Sequence, residues 1–107
     1  MVNTGRIDML YGMLKKEPND LFLNYALGME LLNNASDLSI AKQQFQKVLN
    51  LNPEYVPAYY QLGKLCELLV ENTEAMNYYQ KGLQLAKQQS NNKAINEFGE
   101  AIFLLED

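Results

Sequence analysis

Two glutamate pairs stand three residues apart in this chain, Glu71 with Glu74 and Glu97 with Glu100. That spacing puts two carboxylates on neighbouring turns of one helix face. Such a pair could serve as general acid and base only if burial raised one of the two pKa values. Nothing nearby in the sequence supplies that burial, so both pairs read as solvated faces. There is no histidine, which removes the commonest general base and the commonest metal ligand together. The single cysteine, Cys66, can form no internal disulfide, and its place in an apolar helical pattern is that of a buried structural thiol. A Gly-rich phosphate loop, H-E-x-x-H and G-x-S-x-G are all missing. The expectation is a non-catalytic protein, with no catalytic residues, no cofactor and no metal site.

The net charge of −4 and a longest basic run of only Lys15-Lys16 weigh against nucleic acid as a partner. No apolar run is long enough to span a membrane. The first twenty residues, MVNTGRIDMLYGMLKKEPND, are interrupted by Arg6, Asp8, Lys15 and Lys16, so they lack the apolar centre of a secretory signal. A cytoplasmic location follows, and the glycosylation pattern at Asn34-Ala35-Ser36 carries no meaning there. The 107 residues, 48% of them hydrophobic, suffice for one domain with a core that needs no staples.

The elements that position these residues are legible from an internal repeat. Tyr25, Leu27 and Gly28 recur 35 residues later as Tyr60, Leu62 and Gly63. Ala41, Phe45, Lys47, Leu49 and Leu51 recur at 34 as Ala75, Tyr79, Lys81, Leu83 and Leu85. The register slips by one residue within NNASD, a turn, where an extra residue costs little. Each copy contains two amphipathic helices: Tyr59, Leu62, Cys66 and Leu69 form one apolar stripe, and Ala75, Tyr79, Leu83 and Ala86 another. Ser36 or Asp37, and Asn72 or Thr73, are the expected N-caps of the second helices. Pro18, Pro53 and Pro57 fall at helix edges.

A glycine in mid-helix costs roughly 1 kcal/mol against alanine. Gly28 and Gly63 therefore call for a packing reason: close approach of the second helix, answered by Ala41 and Ala75, with Phe45 and Tyr79 filling the space between neighbouring pairs. With these residues in place the chain resembles the tetratricopeptide-repeat family, whose W-x2-L-G-x2-Y…A-x3-F…P pattern reads here as Asn24, Leu27, Gly28, Leu31, Ala41, Phe45 and Pro53. In the second copy it reads as Tyr59, Leu62, Gly63, Cys66, Ala75, Tyr79 and Lys87. Asn24 replaces the opening aromatic, and Lys87 replaces the closing proline, so the last repeat helix should run from about Thr73 to Gln89. The resemblance implies an all-α fold of about six helices. These are antiparallel helix-turn-helix repeats stacked as a short right-handed α-solenoid: a half repeat over 1–18, repeats over 20–53 and 54–89, and a cap over 91–107 whose stripe is Ile95, Phe98, Ile102 and Leu105.

The resemblance also implies a function, that of an adaptor holding a protein or peptide in a concave groove lined by the first helix of each pair. By position that groove takes Phe22, Tyr25, Met29 and Asn33 from the first copy, and Tyr60, Gln61, Lys64 and Leu68 from the second. For Tyr25 and Tyr60 the competing reading is plain packing against the terminal helices. The carboxylate clamp by which some relatives grip chaperone tails needs Lys and Asn where this chain has Tyr25, Met29 and Gln61, so that ligand is disfavoured. An alternative function is self-association, with apolar residues at the ends (Met9, Ile102, Phe103 and Leu104) forming a symmetric homodimer contact between terminal helices.

Overall fold

The computed structural model describes residues 5–34 and 37–106. The Ser36 cap, the last two residues of the glycosylation pattern and the start of the N-terminal half repeat lie outside them. The described residues form six α-helices and no strand. They fall into two compact units, residues 1–53 and 54–107.

In the first unit α1 (Gly5–Lys16), α2 (Leu21–Asn34) and α3 (Leu38–Leu51) follow one another, with α2 packed on both of the others. Asp20 starts α2 by accepting from Leu23 N at 2.8 Å, and Asp37 starts α3 by accepting from Ser39 N at 3.0 Å. Leu14 of α1 packs with Leu23 and Leu27 of α2, and Ile7, Leu10 and Leu31 close the cluster. Phe45 is fully buried beneath α2. A Cβ at Gly28 would stand 2.7 Å from its Cε1, which is the physical reason for glycine there.

The second unit holds α4 (Val56–Leu68), α5 (Asn72–Gln88) and α6 (Asn92–Leu105). Pro57 occupies the first turn of α4, where a missing N–H is harmless. The turns after α4 and α5 share one design. Val70 N donates to Glu67 O at 3.0 Å and Glu71 N to Cys66 O at 2.8 Å; Ser90 N donates to Lys87 O at 3.2 Å and Asn91 N to Ala86 O at 2.9 Å. Each closes its helix with a residue in the left-handed region, Val70 at φ 60° and Ser90 at φ 54°. The end of α5 is tied back to the start of α4 by Gln89 Nε2 donating to Glu54 O at 3.0 Å.

Two expectations need correction. Neither Asn72 nor Thr73 caps α5; the helix begins at Asn72, and Glu71 before it makes no side-chain cap bond. The Schellman turn supplies the reason, since it carries the chain from α4 into α5 by backbone bonds alone. The aromatics do not merely fill space between neighbouring pairs either. Phe45 and Tyr79 sit directly on the glycine of their own pair, and Tyr79 additionally meets Phe98 of α6 at 6.4 Å between ring centroids.

Candidate functional site

Four of the eight groove residues lie on α2. Phe22 is 74% exposed, Asn33 is exposed, and Tyr25 and Met29 are half-buried. Tyr25 meets Phe45 edge-on, with ring centroids 5.5 Å apart. Tyr25 therefore packs on α3. Phe22 has no such anchor in the core. Together with Ala26 of α2 and with Met9 and Leu10 of α1, it lines an apolar cleft of about 240 Å³, at whose edge Arg6 Nε and Glu30 Oε1 pair at 3.1 Å. Met9, at 63% exposure, is its second open wall. The α1 side of this cleft is not legible in the sequence, where Met9 is a candidate dimer contact and no spacing rule links Met9 or Leu10 to Phe22.

The other four lie on α4 and have a different character. Tyr60 is half-buried and packs on two rings, Tyr79 at 6.1 Å and Phe98 at 5.7 Å. Packing on the C-terminal helix is what the sequence offered as the competing reading for this residue. Lys64 Nζ lies 5.4 Å from the centroid of the Tyr60 ring, within range of a cation–π contact. Gln61 is half-buried, and Leu68 is 61% exposed. Of these four side chains Leu68 is the most open to another molecule, and Lys64 is half-buried beside the Tyr60 ring.

A third place gathers titratable groups. The Tyr79 hydroxyl donates to the Glu67 carboxylate in a very short hydrogen bond. Burial pushes the Tyr79 phenol well above the ordinary tyrosine value, and the bond to Glu67 with its negative charge pushes it further. Burial also raises Tyr59, with Tyr78 adding to the shift. Beside them the fully buried Cys66 thiol and the carboxylates of Glu71 and Glu74 bring their ligand atoms within 4.8 Å of one another. One soft donor with two hard ones matches no particular metal, and each of the three has an interaction of its own in the fold. Because the sequence places Glu71 and Glu74 on a solvated face, it does not reveal their approach to Cys66. That approach comes from the tight turn at Val70.

Among the described residues no helix is long and apolar enough to cross a membrane. No family model matches the sequence, and no curated protein matches it. Solved structures do. A tetratricopeptide repeat domain protein from Salinibacter ruber is 34% identical in its solution structure, with 83% of this chain and 89% of that chain covered at a TM-score of 0.77. Its crystal structure gives 33% identity, 81% and 97% coverage and a TM-score of 0.75. The TPR2B domain of yeast Sti1, solved in complex with pHsp70, is 16% identical, with 94% and 79% covered at a TM-score of 0.85. That last likeness is one of fold.

Proposed function

Because the chain belongs to the tetratricopeptide-repeat family, we propose that it is a non-catalytic protein-interaction adaptor of the cytoplasm that binds a protein or peptide segment, not nucleic acid. The observation that carries this reading is Phe22, an aromatic side chain three-quarters exposed over an apolar cleft. A large ring left in water beside a further exposed apolar side chain is a feature of interaction surfaces. The binding faces are assigned to the first-position helices of repeats 20–53 and 54–89, flanked by a half repeat over 1–18 and a cap over 91–107. On α2 the face comprises Phe22, Tyr25, Met29 and Asn33, and on α4 Tyr60, Gln61, Lys64 and Leu68. The Sti1 domain in its complex with pHsp70 lends support, since it shows the same fold engaged with another protein.

Variants must be chosen at side chains that do not hold the fold. Tyr60 holds it, through Tyr79 and Phe98. Phe22→Ser and Leu68→Ser remove exposed apolar surface, and Lys64→Glu reverses the one cation on these two faces. A partner captured by the wild-type protein, then purified, is expected to bind each variant at least about tenfold more weakly at unchanged helicity, a loss of about 1.4 kcal/mol. Equal affinity for all three variants would remove the binding faces from consideration.

A further inference from the structure

The third first-position helix, α6, carries the same Gly signature as the other two, and its glycine is empty. Phe98-Gly99 of α6 stands 36 residues after Leu62-Gly63 of α4. In that register Phe98 replaces the fully buried Leu62 and is itself buried, Cys66 becomes Ile102, and Glu67 becomes Phe103. Gly28 is covered by Phe45 and Gly63 by Tyr79, so closely that a Cβ would collide with either ring. A Cβ at Gly99 would meet nothing within 4 Å among the described residues. Beside that gap Phe103 is 69% exposed.

At the other end, α1 has the register of a second-position helix, and no described helix stands before it. Pro18 precedes Pro53 by 35 residues, and that register places Leu10 where Phe45 and, in the next copy, Tyr79 stand. Tyr79 is shared between two neighbours, covering Gly63 of α4 on one side and meeting Phe98 of α6 on the other. Leu10 uses one such side on the Leu14, Leu23 and Leu27 cluster. Met9 and Met13 lie beside it, 63% and 46% exposed. Inside the chain the pair at these places is apolar in the first copy, Leu32 with Phe45, and polar in the second, Glu67 with Tyr79; on the two open faces its counterparts are Phe103 and Leu10, again an apolar pair. The two members match each other as the apolar pair of the first copy does.

We propose that α6 of one molecule receives α1 of a second copy, Leu10 seating over Gly99 beside Phe103, so that a half repeat and a cap complete a repeat in trans. The contact continues an interface that the chain already makes twice, α2 with α3 and α4 with α5. Charge favours it: with Arg6 paired to Glu30, α1 still carries Lys15 and Lys16 against Asp8, whereas α6 carries Glu97 and Glu100 against Lys93. The contact is heterologous, head to tail, so each associated pair keeps one free face of each kind. This departs from a symmetric pairing of like helices and goes beyond the binding faces of α2 and α4.

The experiment breaks one face at a time in the full chain. Gly99→Leu/Phe103→Glu spoils α6, and Met9→Glu/Met13→Glu spoils α1; all four positions are exposed, and circular dichroism checks that helicity is kept. Should the α1 variant lose helicity, Met9→Gln/Met13→Gln replaces it. Sedimentation velocity of the wild type is expected to show an average mass that climbs with concentration. Each variant alone is expected to stay monomeric, and an equimolar mixture of the two to reach twice the monomer mass and stop there, since only one intact α6 meets one intact α1. The proposal is overturned by a wild type that stays monomeric, by either variant associating on its own as a symmetric dimer would, or by a mixture that remains monomeric.

Discussion

The two units solve one packing problem with different chemistry. Each presses a second helix onto a first through a glycine, yet the position 35 residues apart that opens the first helix is Asn24 in one and Tyr59 in the other. Asn24 is fully buried, and its amide is wholly engaged. Nδ2 donates to Pro18 O at 3.0 Å and Asp20 O at 2.8 Å, while Oδ1 accepts from Gln44 Nε2 of α3 at 2.9 Å. One side chain thereby ties the turn before α2 to the helix after it. The second unit uses rings, Tyr59 on Tyr78 at 6.4 Å and Tyr60 on Tyr79 at 6.1 Å, with the Tyr79 to Glu67 bond as its polar element. A hydrogen-bonded node demands one geometry, whereas tilted ring pairs accept several. The first unit should therefore be the more sensitive to loss of a single side chain.

The sharpest way to break that contrast is Asn24→Ala. It strips partners from Gln44 and from two carbonyls in a closed site and leaves a void, at a cost of about 3 kcal/mol. Amide hydrogen exchange should accelerate first in α1 to α3; equal acceleration in α4 to α6 would mean that the node does not belong to one unit. The next largest effect tests the glycines. An added Cβ would intrude more deeply on Tyr79 at Gly63 than on Phe45 at Gly28, so Gly63→Ala is expected to lower stability by about 2 kcal/mol and Gly28→Ala by about 1, after the gain in helix propensity. Thermal melts that reverse this order would show that the Phe45 pair, not the Tyr79 pair, has the tighter seat.

These cases mark what was legible beforehand. Helix positions, the paired glycines and the buried Cys66 follow from period and spacing, because one apolar stripe per helix is enough to fix them. That Asn24 departs from the aromatic pattern was visible, but its satisfaction was not, since its partners Pro18, Asp20 and Gln44 are polar groups with no periodicity. Gly82 escaped for a related reason. In the first copy Val48 stands at its place, so it belongs to no repeated signature; it is glycine because the Phe98 ring of α6 occupies the space of a Cβ. Of the groove residues, Tyr60 and Lys64 turned out to contact each other, and Phe22 to face α1, both matters of side-chain direction that spacing along one helix does not determine.

A smaller effect separates the units by pH. The Tyr79 phenol is raised in the folded state, so its protonated form contributes stability fully below the unfolded value of about 10. That contribution fades as pH rises beyond 10, because the unfolded chain then loses a proton that the folded chain retains. Denaturant titrations should show stability falling above pH 10, with Tyr79→Phe about 1 kcal/mol less stable at neutral pH and shallower on the alkaline limb. Tyr59, raised by burial in the same unit, keeps that limb from flattening altogether. An alkaline limb unchanged by Tyr79→Phe would assign the pH dependence to other groups.

The smallest expected change is a gain, and it belongs to the second unit alone. Val70 is a β-branched residue held at φ 60° with 82% of its surface exposed, so it bears the cost of the left-handed region without burying its side chain in return. That cost is about 1–2 kcal/mol for an L-residue. Glycine would avoid it while losing more backbone entropy on folding, which leaves Val70→Gly more stable by about 0.5–1 kcal/mol. Ser90 has the same conformation without the branched Cβ, so Ser90→Gly should gain less. Exchange protection should rise in α4 and α5 and stay level in α2 and α3. A loss of stability in Val70→Gly would mean that the valine is covered when the protein is folded, which would make the turn after α4 a contact surface in its own right.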